Sequence, residues 1–401
     1  MSSRSPAARK KTGCEVRTDK FARTKNDIHK SPLVLNREFG RSPDNLLINA
    51  DASSALDAIG QRAKCDGGKP KVKLCYIDPP FNTGERFEHY DDRLDRSIWL
   101  ENLRDHLVKI KNILADDGSI WVHLDDSEQH RARCLLDDIF GAGAFVATII
   151  WQKRKTRDSR KAFSSMHDYI HVYAPAGPLA WKKVRNGVPD LGAFANPDND
   201  PKGPWRSVPM SAQGGHGTAS QLYTVATPSG TLHDPPAGRC WTYTKERLAA
   251  LDADGRVYWP RGGHGKPRLK KYASEAVPLP PFTIWSADEV GTTASAKKDL
   301  LREFPSVSAF ATPKPLALLE RIIEIGSDPD DLILDCYLGS GTTAVAAQRT
   351  GRRWIGIEVS ERTVRDFAIP RLQKELETYG GHGFAYAHFI QPDTGSEGVG
   401  A

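Results

Sequence analysis

Four consecutive residues early in the chain carry groups that could bind a flat ring bearing an amine. Asp78-Pro79-Pro80-Phe81 directly follows an apolar run at 74–77 that predicts a buried strand. The two prolines fix φ and remove two backbone donors, so the strand must end there in a rigid turn. The carboxylate and a proline carbonyl can accept hydrogen bonds from the amine, while the Phe81 ring stacks on its face. This spacing predicts a binding site for a planar amine.

A second turn, much further along the chain, has the residues of a nucleoside-cofactor site. An apolar run at 332–334 leads into a glycine-rich turn whose candidate ligand residues are Asp335, Gly339, Ser340, Gly341, Thr342 and Thr343. The glycines allow a tight turn and close approach of a ligand to the backbone. Glu358 follows at the end of the next predicted strand, where an acid accepts ribose hydroxyls. Because Asp335 would repel a pyrophosphate and attract a cation, the pattern favours S-adenosylmethionine over NAD.

The elements that must hold these two turns alternate between strand and helix. Apolar runs and amphipathic segments alternate over 42–174 and again over 306–380, which is typical of a layered α/β domain with a parallel sheet. The stretch between them, 175–305, is rich in Gly, Pro and Trp and shows few helical periods. We therefore expect one α/β domain interrupted by an inserted module, with a disordered basic arm at 1–41 and a loose tail at 381–401.

The distribution of charge indicates a polyanionic partner. The net charge is only +6, but the excess of Lys and Arg is concentrated in residues 1–41 and 151–305, and six of the nine tryptophans also lie in 151–305. Basic residues interleaved with aromatic residues suit a nucleic acid, because cations bind phosphates and rings stack on bases. A solvated surface over a Trp-containing core is the alternative. The candidate nucleic-acid contacts are Arg206, Arg239, Arg268, Lys270 and Lys271.

The composition argues against several other classes of protein. The six cysteines are scattered and no two have the C-x-x-C spacing of a zinc site, so neither a metal nor a disulfide framework is expected. No apolar run reaches the length of about 18 residues that a membrane span needs. The N-terminal stretch is polar and basic and lacks the apolar core of a secretory signal. These features predict a cytoplasmic protein with reduced thiols.

Taken together, the two turns resemble those of β-class amino-group DNA methyltransferases. In that class a D-P-P-[YF] motif precedes a D-x-x-x-G-x-G motif, as residues 78–81 precede residues 335–341 here. Three further segments resemble the methylation (Mod) subunits of type III restriction-modification systems, namely 196–207, 236–241 and 267–272. The resemblance implies the Rossmann-like class I fold of S-adenosylmethionine-dependent methyltransferases. That fold has a seven-stranded, mostly parallel sheet, here with permuted motif order and an inserted DNA target-recognition module.

This resemblance also implies a role for each candidate site residue. Asp78, Pro79, Pro80 and Phe81 form the catalytic loop, in which Phe81 replaces the commoner tyrosine and keeps the stacking face. Asp51 lies in the segment that contacts the adenine of the cofactor. Lys314 lies in a T-P-K-P segment that packs over its methionine end. The implied cofactor-binding residues are Asp51, Lys314, Asp335, Gly339, Ser340, Gly341, Thr342, Thr343 and Glu358.

The implied reaction moves a methyl group from S-adenosylmethionine to the N6 amino group of an adenine flipped out of duplex DNA. Aspartate rather than serine at position 78 favours adenine, and N4-cytosine is the alternative. A catalytically inactive DNA-binding protein with a relic cofactor fold is the alternative of another class. A dehydrogenase is disfavoured because the turn at 78–81 offers no group for hydride transfer. Beside duplex DNA, the candidate partners are a second copy in a homodimer and a restriction (helicase-nuclease) subunit.

Overall fold

The computed structural model of the chain describes residues 33–65, 72–82, 95–160, 162–190, 192–305 and 312–389. Two units are distinguished within them. The larger unit contains the described residues up to Asn186 and those from Phe282 onward, and the smaller unit is Gly187–Pro281. No helix in these parts of the chain is long and apolar enough to cross a membrane.

The first part of the larger unit alternates strands with helices, as the apolar periods predict. Its elements are β1 (Leu33–Phe39), β2 (Asn45–Asn49), α1 (Ala52–Cys65), β3 (Val72–Ile77), α2 (Arg96–Ile113), β4 (Leu114–Leu124), α3 (Gln129–Phe140), β5 (Phe145–Gln152), β6 (His167–Tyr173) and α4 (Pro178–Val184). In α2, Trp99, Leu103 and Leu107 recur at four-residue steps and are buried on one face. The Asp95 carboxylate caps this helix by accepting from the Ser97 N–H at 2.8 Å.

The smaller unit is built from short strands and turns. Its elements are β7 (Trp205–Pro209), β8 (Ser211–Gln213), β9 (Val225–Ala226), β10 (Leu232–His233), β11 (Arg239–Trp241), α5 (Lys245–Ala253), β12 (Val257–Tyr258), α6 (Pro260–Gly263) and β13 (Arg268–Tyr272). β13 pairs with both β7 and β12, while β8 pairs with β11. The buried residues of its core are Met210, Val225, Trp241, Leu248, Leu251 and Val257. Short elements are what a stretch rich in Gly and Pro predicts.

The last part of the chain returns to the larger unit. Its elements are β14 (Ile284–Trp285), α7 (Ala287–Val290), α8 (Thr293–Glu303), α9 (Leu316–Gly326), β15 (Leu332–Asp335), α10 (Thr342–Arg349), β16 (Arg353–Glu358), α11 (Glu361–Thr363), α12 (Ile369–Tyr379) and β17 (Phe384–Phe389). β14 pairs in parallel with β5. The smaller unit, Gly187–Pro281, is therefore shorter in sequence than the 175–305 module that composition predicts.

The two ends of the described chain also differ from the expected arm and tail. β1 and β17 pair with each other in antiparallel fashion, and β17 pairs in parallel with β2. Residues 33–39 and 384–389 are thus strands of the sheet, whereas the sequence predicts a disordered arm over 1–41 and a loose tail over 381–401. The remainder of both predicted segments lies outside the described residues. These two strands are hard to predict because β1 and β17 pair across most of the length of the sequence.

Within the described residues the larger unit has one ten-stranded sheet, in the order β1-β17-β2-β16-β15-β3-β4-β6-β5-β14. The seven consecutive strands from β2 to β5 correspond to the expected sheet, and three more strands extend its two edges. The strands from β2 to β4 are all parallel. β6 runs antiparallel to both β4 and β5. The predicted α/β class with a mostly parallel sheet is confirmed.

Candidate active site

The two predicted turns lie side by side because their strands are neighbours. β3 and β15 pair in parallel, and β15 pairs on its other side with β16. Asp78 follows β3, Asp335 ends β15 and Glu358 ends β16. Since the carboxyl ends of parallel strands meet at one edge of a sheet, the three carboxylates lie at the same edge.

The Asp78 carboxylate has two oxygens in different surroundings. The Lys314 ammonium donates a hydrogen bond to Oδ2 of Asp78 and lies 5.1 Å from the centroid of the Phe81 ring. Lys314 is only 9% exposed. Oδ1 of Asp78 is buried and has no hydrogen-bond partner among the residues that the structure describes. One oxygen is therefore held by a cation, and the other is available to accept a hydrogen bond.

The turn that carries Asp78 is held from both sides. The Trp99 indole N–H donates to the Pro80 carbonyl at 2.7 Å, so a residue of the amphipathic face of α2 also supports this turn. Asn82 adopts a left-handed conformation with φ of 56°, which asparagine tolerates better than most residues. Its amide donates to the buried Glu128 carboxylate at 3.5 Å. Thr83 lies outside the described residues.

A buried chain of hydrogen bonds runs beneath Phe81. The His123 ring lies 6.0 Å from the Phe81 ring, and the two planes are inclined by 30°. His123 is fully buried; its Nδ1 is 2.8 Å from the Tyr76 hydroxyl and its Nε2 is 3.3 Å from the Asp168 carboxylate. The Lys153 ammonium donates to the other Asp168 oxygen at 2.6 Å. The sequence gives no signal for this chain of hydrogen bonds, because Tyr76, His123 and Asp168 lie on different strands.

The protonation states in this chain follow from its geometry. Burial acts to raise the pKa of Asp168, but hydrogen bonds and charges from His123 and Lys153 outweigh it and the pKa is lowered. An ionised Asp168 only accepts hydrogen bonds, so His123 Nε2 carries the proton and Nδ1 accepts from Tyr76. Burial, with the nearby Lys314 charge, lowers the pKa of His123. The ring is therefore neutral near pH 7.

The glycine-rich turn folds around the Asp335 carboxylate. Oδ2 of Asp335 accepts from the Thr343 hydroxyl at 2.5 Å, and Oδ1 accepts from the Tyr337 N–H at 2.9 Å. Gly339 and Gly341 have φ of 55° and 85°, a region that favours glycine. Burial raises the pKa of Asp335 to about 7 in spite of these hydrogen bonds, and the charges of other carboxylates at this edge add to the rise.

Glu358 is oriented by the same turn. Its carboxylate accepts from the Gly339 N–H and from the Ser360 N–H, each at 2.8 Å. Burial raises the pKa of Glu358, and these backbone hydrogen bonds oppose the rise. Each carboxylate oxygen can accept a second hydrogen bond, as a ribose hydroxyl would require.

Three of the other predicted cofactor residues, Ser340, Thr342 and Asp51, make hydrogen bonds within the protein. Ser340 and Thr342 are buried, and the Arg371 guanidinium donates to the Thr342 hydroxyl at 2.9 Å and to the Ser340 carbonyl at 3.3 Å. Arg371, on α12, was not predicted, because one more cation in a helix gives no signal. Asp51 caps α1 by accepting from the Ser54 N–H at 2.9 Å. It follows β2, which pairs with β16, and so lies at the same edge as the acids.

The carboxylates at this edge of the sheet suit a cationic nucleoside. The Lys314 ammonium is paired with Asp78. The carboxylates of Asp335 and Glu358 have only hydroxyl and backbone N–H partners among the described residues. Burying acids without a cation is unfavourable. The sulfonium and amino groups of S-adenosylmethionine would offset this negative charge. The described residues include no group of three or more His, Cys, Asp or Glu that could hold a metal ion.

In the structure, the side chains predicted to contact DNA form hydrogen bonds and ion pairs within the smaller unit. The Lys270 ammonium is buried and donates to Asp198 at 2.5 Å and to Asp200 at 2.6 Å. Arg206 forms a bidentate pair with Asp190 at 2.8 and 2.6 Å. A phosphate contact by Lys270 would require its ion pair to break, which leaves it a poor candidate.

The other three predicted contacts are half-buried. Lys271 lies 3.7 Å from the carboxylate that Arg206 binds. Arg239 bonds the Ser211 hydroxyl and carbonyl, and Arg268 bonds the same two groups of Ser207. Sequence shows which side chains are basic but not which acids and serines they meet, so the internal partners were missed.

The fold and this edge of the sheet define the class of S-adenosylmethionine-dependent DNA methyltransferases. The DNA methylase family (N6_N4_Mtase) matches residues 72–368, a span that contains both turns. The chain belongs to this family, and the resemblance found in its motifs is confirmed.

Two relatives illustrate the range of the family. The Type II methyltransferase M.EcaI of Enterobacter cloacae is 33% identical over 367 residues, which is 88% of this chain and 74% of that protein. The Mod subunit of the type III restriction-modification enzyme StyLTI of Salmonella typhimurium is 32% identical over 313 residues, which is 69% of this chain and 46% of that protein. The match thus spans about half the length of the Mod relative.

One solved structure shows a weaker likeness. The PvuII DNA methyltransferase (cytosine-N4-specific) has a TM-score of 0.47 and 13% identity, covering 84% of this chain and 90% of that chain. At this level the likeness does not bear on the choice of base.

Proposed function

We propose that this chain methylates the N6 amino group of adenine in duplex DNA. The observation that carries the proposal is the buried Oδ1 of Asp78, which has no hydrogen-bond partner among the described residues, near the ring of Phe81 and the ammonium of Lys314. An exocyclic amine has two N–H donors and needs acceptors in a pocket with an aromatic face. Aspartate at the first position of the turn is the feature that favours adenine over cytosine.

Two acceptors in this turn are suited to the target amine. Asp78 Oδ1 would accept one N–H, and the carbonyl of Pro79 would accept the other. The Pro80 carbonyl is taken by Trp99, which is why Pro79 is assigned. Hydrogen bonds to both N–H groups draw electron density toward the nitrogen and orient its lone pair, and holding reactants in line supplies much of the rate.

Lys314 would orient the Asp78 carboxylate. Its ammonium binds Oδ2, so Oδ1 is turned toward the space where the amine would bind. The cation also stacks against the Phe81 ring, at 5.1 Å from its centroid. A side chain predicted from sequence to serve the cofactor is thereby assigned to the base pocket as well.

Glu358, Asp51 and the turn at 335–343 would hold the cofactor. Glu358 has free acceptor capacity for ribose hydroxyls, and the buried Asp335 would supply negative potential at the turn once a bound cation favours its ionised form. S-adenosylmethionine, when bound, supplies a methyl group activated by a positive sulfur. The residues of the edge would bind it, orient it and exclude water, and the Asp78 carboxylate would accept the proton that the amine loses on methylation.

The target amine is inaccessible inside a base-paired duplex, so the adenine is proposed to flip into the pocket and stack on Phe81. The smaller unit is proposed to recognise the DNA target. The basic residues before position 33, which lie outside the described residues, are proposed to add salt-sensitive affinity. We place the enzyme in the cytoplasm, in restriction-modification or as a stand-alone modification enzyme. A homodimer and a helicase-nuclease subunit are its proposed protein partners.

The identity of the methylated base is the direct test. The protein is incubated with methyl-labelled S-adenosylmethionine and unmodified genomic DNA, and the DNA is digested to nucleosides and separated. Label in N6-methyladenine is expected. Label in N4-methylcytosine would overturn the choice of base, and no label with any duplex would overturn the proposed activity. Sequencing of the modified sites then gives the recognition sequence.

A further inference from the structure

An exposed loop of the smaller unit has an unusual backbone conformation. In α6 the residues Arg261, Gly262 and Gly263 have positive φ of 57°, 62° and 90°. Glycine adopts this left-handed region freely, but arginine does so at a cost because its Cβ approaches the backbone. A non-glycine residue held in this conformation is found where surrounding structure imposes it, and such sites are often functional.

The loop is held in this shape by a neighbouring hairpin. The Ser229 hydroxyl donates to the Gly263 carbonyl at 2.8 Å, and the His264 ring bonds the hydroxyls of Ser229 and Thr231 at 2.9 and 3.0 Å. His233 Nε2 donates to the His264 carbonyl at 2.8 Å. These hydrogen bonds, two of which share Nδ1 of His264, hold the backbone of the segment that carries Arg261 and Lys266 in a defined conformation.

The outward side chains of this loop are cations without acidic partners. Arg261 and Lys266 are exposed, and neither makes an ion pair within the described part of the chain, unlike Lys270 and Arg206. A Cβ added at Gly262 would meet no atom within 4 Å. The glycine there is therefore not required by packing, and it leaves the backbone open to close approach from outside.

We propose that this loop, residues 260–266, binds the sugar–phosphate backbone of duplex DNA. The inference rests on the proposed function, in which duplex DNA is the substrate. Two unpaired cations flanking bare glycine backbone on a rigid loop suit phosphate groups, which bind Lys and Arg and tolerate close backbone approach. The loop thus replaces the buried Lys270 as the contact surface of this unit.

The test compares two double variants with the same loss of charge. Arg261→Ala/Lys266→Ala removes the two loop cations. Lys245→Ala/Arg247→Ala removes two exposed cations from α5 of the same unit, which likewise make no ion pair with described residues. Binding of a fluorescent, unmodified duplex that contains the methylation site is measured by anisotropy over a series of salt concentrations.

The loop variant is expected to bind at least about tenfold more weakly at 0.1 M salt. Its slope of log affinity against log salt should be shallower by about two, because two phosphate contacts are lost. The α5 variant should stay within about twofold of wild type. Unchanged binding by the loop variant, or an equal loss in both variants, would overturn the assignment.

Two further measurements keep this test separate from that of the proposed function. Methyl transfer at saturating DNA should be the same in the loop variant as in wild type, whereas a wild-type protein that methylates no duplex would contradict the proposed function instead. Arg261→Gly removes one cation and relieves the backbone strain, so it should raise the melting temperature while making the salt slope shallower by about one. A stabilised Arg261→Gly variant with wild-type DNA binding would also count against the loop.

Discussion

At the scale of single residues, the proposed chemistry depends on the Asp78 carboxylate, whose two oxygens have different surroundings. The motif around Asp78 predicts an acceptor and a stacking ring, and the structure adds the ammonium of Lys314 to them. Lysine in the T-P-K-P segment is visible in the sequence, but its partner is 236 residues away. Charge pairing across that separation is decided by packing and not by any local pattern.

A double-mutant cycle tests the role of Lys314. Lys314→Met should slow methyl transfer in a single turnover by about 10²-fold, because Asp78 loses the cation that orients it, and Lys314→Arg should restore much of the rate. In an Asp78→Asn background the same substitution should have little further effect. The rates are measured with labelled S-adenosylmethionine at saturating DNA.

Cofactor affinity provides the control for this cycle. Calorimetric titration with S-adenosylmethionine should give similar dissociation constants for wild type and Lys314→Met. A large loss of cofactor affinity with an unchanged transfer rate would show that Lys314 serves only the cofactor, as the sequence alone predicts.

The Asp335 carboxyl makes stability depend on pH. Its pKa of about 7 in the folded protein lies above the ordinary value in an unfolded chain, so the folded state binds the proton more tightly. The free energy of unfolding must then fall as the pH rises through this range. Between pH 5 and pH 8 wild type should lose on the order of 2–3 kcal/mol relative to Asp335→Asn, as measured by urea denaturation.

Added S-adenosylmethionine should reduce this loss, since a cation beside Asp335 favours its ionised form. If wild type and Asp335→Asn show the same dependence on pH, Asp335 does not titrate in this range. The variant also serves as the control for every other titratable group, since these groups are the same in both proteins.

At the scale of elements, three strands together support the turn at 78–81. Tyr76 lies on β3, His123 on β4 and Asp168 on β6, and their hydrogen bonds tie together the strands beneath Phe81. The apolar runs predict each strand separately. The polar side chain within each run gives no indication that the three will meet, because strand order is a property of the whole sheet.

Removal of the His123 ring should lower the free energy of unfolding much more than removal of the Tyr76 hydroxyl at one end of this hydrogen-bond chain. His123→Leu leaves a hydroxyl and an ionised carboxylate buried with fewer partners, and should lower the free energy of unfolding by about 3 kcal/mol or more. Tyr76→Phe removes a single hydroxyl and should cost about 1 kcal/mol. Urea denaturation at pH 7 measures the free energy of unfolding of both variants. Similar small losses in the two would show that this chain of hydrogen bonds adds little to stability.

At the scale of the whole molecule, the order of the motifs follows from the topology of the sheet. β15 lies between β16 and β3, so a turn encoded late in the chain meets one encoded early. The inserted stretch between them forms the smaller unit, with a core of its own. Composition marks out this stretch but places its ends too far apart, since β14 and α8 read as irregular sequence and yet belong to the larger unit.

The sequence by itself determined the two turns, the class of fold and the family. Pro79, Pro80, Gly339 and Gly341 act through their own backbone geometry, which consecutive residues encode without help from the rest of the chain. The alternation of strands and helices is likewise local. These features were enough to predict a mostly parallel α/β sheet and a cofactor site on its edge.

Only the tertiary structure decided which polar groups pair. Lys314 with Asp78, His123 with Asp168, and Lys270 with two aspartates are contacts between residues that lie on different elements. A basic or acidic residue type is compatible with solvent, ligand or ion pair alike, and burial beside a particular neighbour selects among them. The proposed DNA contact is accordingly the exposed loop at 260–266 and not the buried, ion-paired Lys270.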